Sequence, residues 1–161
     1  MSVETRAERP LTLDEPVTLR LAPSGELLEA IRGLGAGAGP PPTLRLTLLG
    51  LERPAAEVTV RVFVNRPGAS PATSIADAPG YVGDVGFFPT TSAAPGADGA
   101  GESTFLMDLG PVLAELPPEE RLIDGRFLDV TLLAVPLRDG VEPEDLGEVE
   151  IPFEGVRLSL H

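Results

Sequence analysis

"VRVFVNRPGASPATSIADAPGYVGDVGFFP", Val60 to Pro89, decides how this chain reads. Extended back to "EVTVRVFVN" (57–65), its first run puts Val58, Val60, Val62 and Val64 on one side, with Glu57, Thr59, Arg61 and Phe63 on the other. That two-residue period belongs to a strand with one face in a core. "GYVGDVGFF" (80–88) repeats it, with Tyr81, Gly83, Val85 and Phe87 inward and Val82, Asp84, Gly86 and Phe88 outward. The intervening Pro/Ala/Ser-rich loop, 66–79, is long for a hairpin connection.

The same period recurs on both sides. "PVTLRLAP" (16–23) points Val17, Leu19 and Leu21 inward, and "TLRLTLLGL" (43–51) does the same with Leu44, Leu46 and Leu48, leaving Arg45 and Thr47 outward. "STFLMDLG", "RFLDVTLLAVPL", "GEVEIPF" and "GVRLSL" bring the count to about seven to eight strands. Only "SGELLEAIRGLG" (24–35) switches to helical spacing, with Ser24 as N-cap and Leu27, Leu28, Ile31 and Leu34 on one stripe. A shorter helical turn falls on "PVLAEL" (111–116). Without a helix for each crossover, parallel βαβ units are excluded. The pattern predicts an all-β fold, a single antiparallel β-sandwich or barrel, jelly-roll-like, with one or two short helices. Residues 1–15 are polar and read as a flexible segment ahead of a β-sandwich domain over 16–161. The expected core includes Leu19, Leu46, Val60, Val62, Tyr81, Val85, Phe105, Val130 and Leu132.

Length and composition suit one globular domain: 161 residues, 42% hydrophobic. Formal charge is 12 − 25 = −13. It is uneven: residues 1–100 hold 11 acids and 8 Arg (−3), and residues 101–161 hold 14 acids and 4 Arg (−10). A chain without a basic face is not expected to bind nucleic acid or an anionic membrane surface. "MSVETRAERPLTLDEP" has no basic start followed by an apolar run, so the chain reads as cytoplasmic as written, or exported together with a partner.

Catalytic chemistry is hard to assemble from these residues. There is no Cys and no Lys, and the single His is His161, so thiol and Schiff-base nucleophiles, Ser-His-Asp relays and His-rich metal clusters are all excluded. Paired carboxylates remain, but Glu142, Glu144 and Asp145 read as a solvated loop, and "DGVEPED" lacks the ligand order of a calcium loop. No catalytic residue, cofactor or metal site is predicted, and the chain reads as a binding, shielding or structural domain.

The order of the strand motifs resembles the C-terminal domain of polyphenol oxidases and bacterial tyrosinase-like proteins. "VTVRVFVN", a strand ending in Val-Asn, is followed by a loop and the Tyr-x-Gly strand "GYVGDVGFF". Downstream, "STFLMDLGPVLAEL", "LDVTLLAVP" and "FEGVRLSL" are similar to that family's later strands, over roughly Pro16 to Leu160. The resemblance implies a shielding or lid domain over the entrance of a type-3 copper oxidase domain, partnered in cis in a parent chain or in trans. The histidines that hold the copper pair in that family cannot come from this chain. Nor do Met1, Met107 and His161 make a copper-transfer site.

Alternation also places apolar residues outside the core. Phe63, Phe88, Leu106, Phe127 and Leu133 all fall on outward positions. Gathered in one patch, such residues mark a docking face, whereas a covering loop or helix would give them a second core. Ile75, the only large apolar residue between Pro67 and Pro79, is the candidate plug for a pocket mouth. Phe63, Ile75, Phe88, Leu106 and Leu133 are therefore the candidate docking or plug residues. The alternative is a stand-alone ligand- or carbohydrate-binding sandwich, which needs a concave face with aromatic platforms.

Overall fold

The computed structural model describes residues 2–13, 15–34, 43–52, 58–66, 68–69, 80–86, 102–136 and 149–161. Their strands are β1 (Ser2–Arg6), β2 (Leu11–Thr12), β3 (Val17–Leu21), β4 (Leu44–Glu52), β5 (Val58–Val64), β6 (Tyr81–Gly86), β7 (Glu102–Asp108), β8 (Leu128–Pro136), β9 (Glu150–Ile151) and β10 (Gly155–Leu160). The helices are α1 (Gly25–Arg32) and α2 (Gly110–Glu115), the latter followed by a single 3-10 turn, Pro118–Glu120. Two four-stranded sheets run β1-β10-β4-β7 and β3-β8-β5-β6, and β2 pairs with β9. Every pairing is antiparallel.

Setting aside the two-residue strands, the sheets read 1-8-3-6 and 2-7-4-5 in chain order, the strand order of a jelly roll. Among the described residues the sheets do not close into a barrel, so the sandwich is the correct half of the expectation. The core lies between them, built from the inward residues of both sheets: Leu19, Val60, Val62, Val130 and Leu132 face Leu44, Leu46, Leu48, Val156 and Leu158. α1 adds Leu27 and Ile31, one helical turn apart and both buried. Ser24 occupies the N-cap in extended backbone, but its side chain makes no capping hydrogen bond.

Two expectations are corrected. The segment expected to be flexible, 1–15, contains two strands among its described residues: β1 runs antiparallel to β10, β2 pairs with β9, and Leu11 is fully buried. In "SVETR" Val3 is the one apolar residue, so the alternation seen in its burial is hardly visible in the sequence; the backbone ladder to β10 and the cross-strand Glu4–Arg157 pair hold the strand. Tyr81 does not face the core. A register shift between Val62 and Phe63 sets Val62 opposite Gly83 and Phe63 opposite Tyr81, turning the tyrosine to the outer face, while Val82 packs against the core.

One buried cation ties the helical elements together. The Nε of Arg121 donates to the carbonyls of Leu113 and Leu116, Nη2 donates to that of Ala114, and Nη1 donates to that of Leu34. The guanidinium thus supplies donors to carbonyls at the C-terminal end of α2, which the helix cannot satisfy itself, and reaches across to the chain following α1. Asn65 (φ 54) secures the adjoining segment: its Nδ2 donates to the carbonyls of Glu120 and Arg121, and its Oδ1 accepts from the Asp129 N–H.

Candidate functional site

The two sheets turn different outer faces away from the core. On the β3-β8-β5-β6 side, Phe63, Leu133, Val135 and Ala69 form a second buried cluster with Tyr81 packed against it. The Phe63 and Tyr81 rings lie 5.5 Å apart at 53°. β5 and β8 are therefore buried on both faces along almost their whole length. Among the described residues, two ion pairs stand on this side. Arg20 makes a two-point pair with Asp129, 2.8 and 3.1 Å, and Arg61 pairs with Asp84 at 3.1 Å. The Arg20 guanidinium is held above its ordinary pKa, first by the hydrogen bond to Asp129 and then by that residue's charge. Phe127 sits between Arg20 and Arg126, whose guanidinium carbons are 5.0 and 5.4 Å from its ring centre.

The β1-β10-β4-β7 side is open. Cross-strand register lays out a row Glu4, Arg157, Thr47, Leu106 and, beside it, a row Ser2, Ser159, Arg45, Asp108. Leu106 is 59% exposed, the one large apolar side chain so exposed among the described residues. With Thr47, Leu49, Thr104, Arg45 and Arg157 it lines a shallow hollow of about 540 Å3. Arg157 donates to Oε2 of Glu4 from both Nε and Nη2, at 3.0 and 2.9 Å. Among the described residues, no hydrogen bond or ion pair engages the Arg45 side chain.

Of the expected docking residues, the three that are described, Phe63, Leu106 and Leu133, are not brought together. Alternation correctly put Phe63 and Leu133 on the far side of their sheet from the main core, but both are buried there and neither is available to a partner. Leu106 belongs to the opposite sheet and is exposed. Ile75 and Phe88 lie outside the described residues. Sequence reading placed Arg45 and Thr47 outward without recognising them as part of a site. What it lacked was the insertion of β10 between β1 and β4, which sets Arg157 beside Thr47.

No carboxylate triad or His cluster disposed to hold a metal ion occurs among the described residues. Among the described residues, no Phe, Tyr or Trp lines the hollow, whose one ring is the imidazole of His161, so it lacks the broad aromatic platform on which a sugar stacks. Among the described residues no helix is long and apolar enough to cross a membrane.

No protein-family model and no curated protein matches the chain. Among solved structures, its fold is similar to that of part of a recombinantly expressed latent aurone synthase (polyphenol oxidase), with a TM-score of 0.53 and 16% identity. The match covers 96% of this chain and 26% of that one. The same enzyme taken from its natural source, also latent, gives identical figures. This chain therefore spans about a quarter of the length of the polyphenol oxidases it matches, and the likeness is one of fold.

Proposed function

We propose that this chain is a non-catalytic domain that caps a type-3 copper oxidase of the tyrosinase or polyphenol oxidase kind, limiting access of phenolic substrate to the copper site. The observation that carries the reading is the match of nearly the whole chain to about a quarter of a latent polyphenol oxidase. Its side chains support the same view. A chain with one His, no Cys and no Lys has little to catalyse with, yet a cap acts by steric exclusion and needs no reactive group. The ordered strand motifs that resemble the C-terminal domain of the family point to that domain as its counterpart. The oxidase partner would be joined in cis or bound in trans.

The test is to add the purified chain to the type-3 copper oxidase from the same source and follow phenol oxidation. A cap lowers the rate in a saturable manner, and proteolytic removal of the cap restores it. An unchanged rate at saturating excess, with no complex by size-exclusion chromatography, would end this reading.

A further inference from the structure

We infer that the open face of the β1-β10-β4-β7 sheet docks an acidic, apolar-tipped segment of the oxidase domain, with Arg45 receiving a carboxylate and Leu106 packing against an apolar side chain. The inference rests on the capping function and names the surface through which it would work.

The two outer faces differ in what they leave unengaged. On the β3-β8-β5-β6 side the apolar residues Phe63, Leu133 and Val135 are already buried, and Arg20 and Arg61 already have Asp129 and Asp84. The described apolar and charged side chains named on that side are therefore already engaged within the chain. On the other side, an apolar residue that is 59% exposed and a cation without a partner among the described residues stand on neighbouring strands. Because Thr47 is opposite Leu106 and Arg45 opposite Asp108, Arg45 and Leu106 are diagonal cross-strand neighbours, about 7 to 8 Å apart. One short segment can touch both.

Charge sets the kind of partner. Acids outnumber bases 25 to 12 in the chain, yet the side chains described as lining this hollow include Arg45 and Arg157 and no carboxylate. Glu4 and Asp108 stand at its margins, and both are engaged, Glu4 with Arg157 and Asp108 with the Gly110 N–H. The exposed hydroxyl of Thr104 adds a polar contact without adding charge, while Thr47, between Arg157 and Leu106, is itself buried. A basic segment would meet Arg45 unfavourably, while an acidic one completes it. Arginine is among the residue types enriched at interface hot spots, and an exposed apolar side chain beside it adds surface that a partner can remove from water.

Affinity of the full chain for the same oxidase is the measurement, using wild type, Arg45→Glu, Leu106→Asp, the milder Leu106→Thr, and Glu26→Arg on α1 as a control on a remote surface. Arg45→Glu and Leu106→Asp should each weaken binding about tenfold or more, Leu106→Thr less, and Glu26→Arg not at all. Wild-type binding should weaken with salt, and Arg45→Glu should flatten that dependence. Thermal midpoints report whether each variant is folded. A complex with unchanged affinity in Arg45→Glu and Leu106→Thr overturns the docking face and leaves the capping function standing. Absence of any complex with wild type removes the capping function, and this inference with it.

Discussion

Phe63 and Tyr81 face each other across β5 and β6, rings 5.5 Å apart, on the side of the sheet away from the main core. A second, smaller core is thus stacked on the outside of one sheet, and the aromatic pair is its centre. Phe63→Ala should cost about 3 to 5 kcal/mol by urea denaturation, the range for emptying a buried Phe site. A loss below 1 kcal/mol would show that the second cluster is not packed as described.

Tyr81 is the only tyrosine and the chain has no tryptophan, so near-ultraviolet phenolate absorbance reports this residue alone. Its pKa is raised above the ordinary value, first by burial and then by its hydrogen bond to Asp84 and that residue's charge, with Arg61 pulling the other way. The folded state therefore keeps its proton to higher pH than the unfolded chain. Below about pH 10 both states are protonated and the contribution is fully present; above it the unfolded state ionises first and stability falls. Tyr81→Phe should remove that component of alkaline destabilisation. A phenolate midpoint at or below that of a free tyrosine peptide would contradict the packing of Tyr81.

Arg121 makes its hydrogen bonds to main-chain carbonyls. Arg121→Met keeps much of the apolar stem and orphans those acceptors, so a loss of about 2 to 4 kcal/mol is expected. Arg121→Lys should recover only part of it, because an ammonium group cannot span acceptors spread over two elements as a planar fork does. Full recovery by lysine would mean that charge, not geometry, is what the site requires.

Leu106→Thr should leave unfolding free energy within about 0.5 kcal/mol of wild type, since an exposed side chain on a sheet's solvent face gives up little when shortened. Chemical denaturation of the isolated chain checks this. A large loss would place Leu106 in intramolecular packing and disqualify it as a contact for a partner.

Much of the architecture could be read from the side-chain period. Val60, Val62, Leu46, Val130 and Leu132 are core residues as their alternation requires, and α1 falls where spacing changes. Failures came where something other than side-chain period decides. Tyr81 changed faces because one irregularity inverts every position beyond it. Phe63 and Leu133 were correctly sided, but a face pointing away from one core can be claimed by another. The near-continuous apolar run "LDVTLLAVP" in β8 was the available sign of burial on both faces. Of the open face, Arg45, Thr47 and Leu106 were individually legible as outward residues. Their company with Arg157 depends on strand order, which the period of a single strand does not contain.

The pairing of β1 with β10 bears on how the chain acquires its structure. Ser2 and Ser159 are direct partners, separated by 159 − 2 = 157 residues. Contacts of such long sequence separation carry a large loop-closure entropy, and folds dominated by them form slowly. During synthesis β4 can pair with β7, but its other neighbour, β10, is the last strand to emerge, so the β1-β10-β4-β7 sheet cannot be assembled from the amino-terminal side outward. Until then its strands have unsatisfied edges, and the nascent chain depends on finishing quickly, or on being held apart from its neighbours, to avoid pairing with the wrong strand.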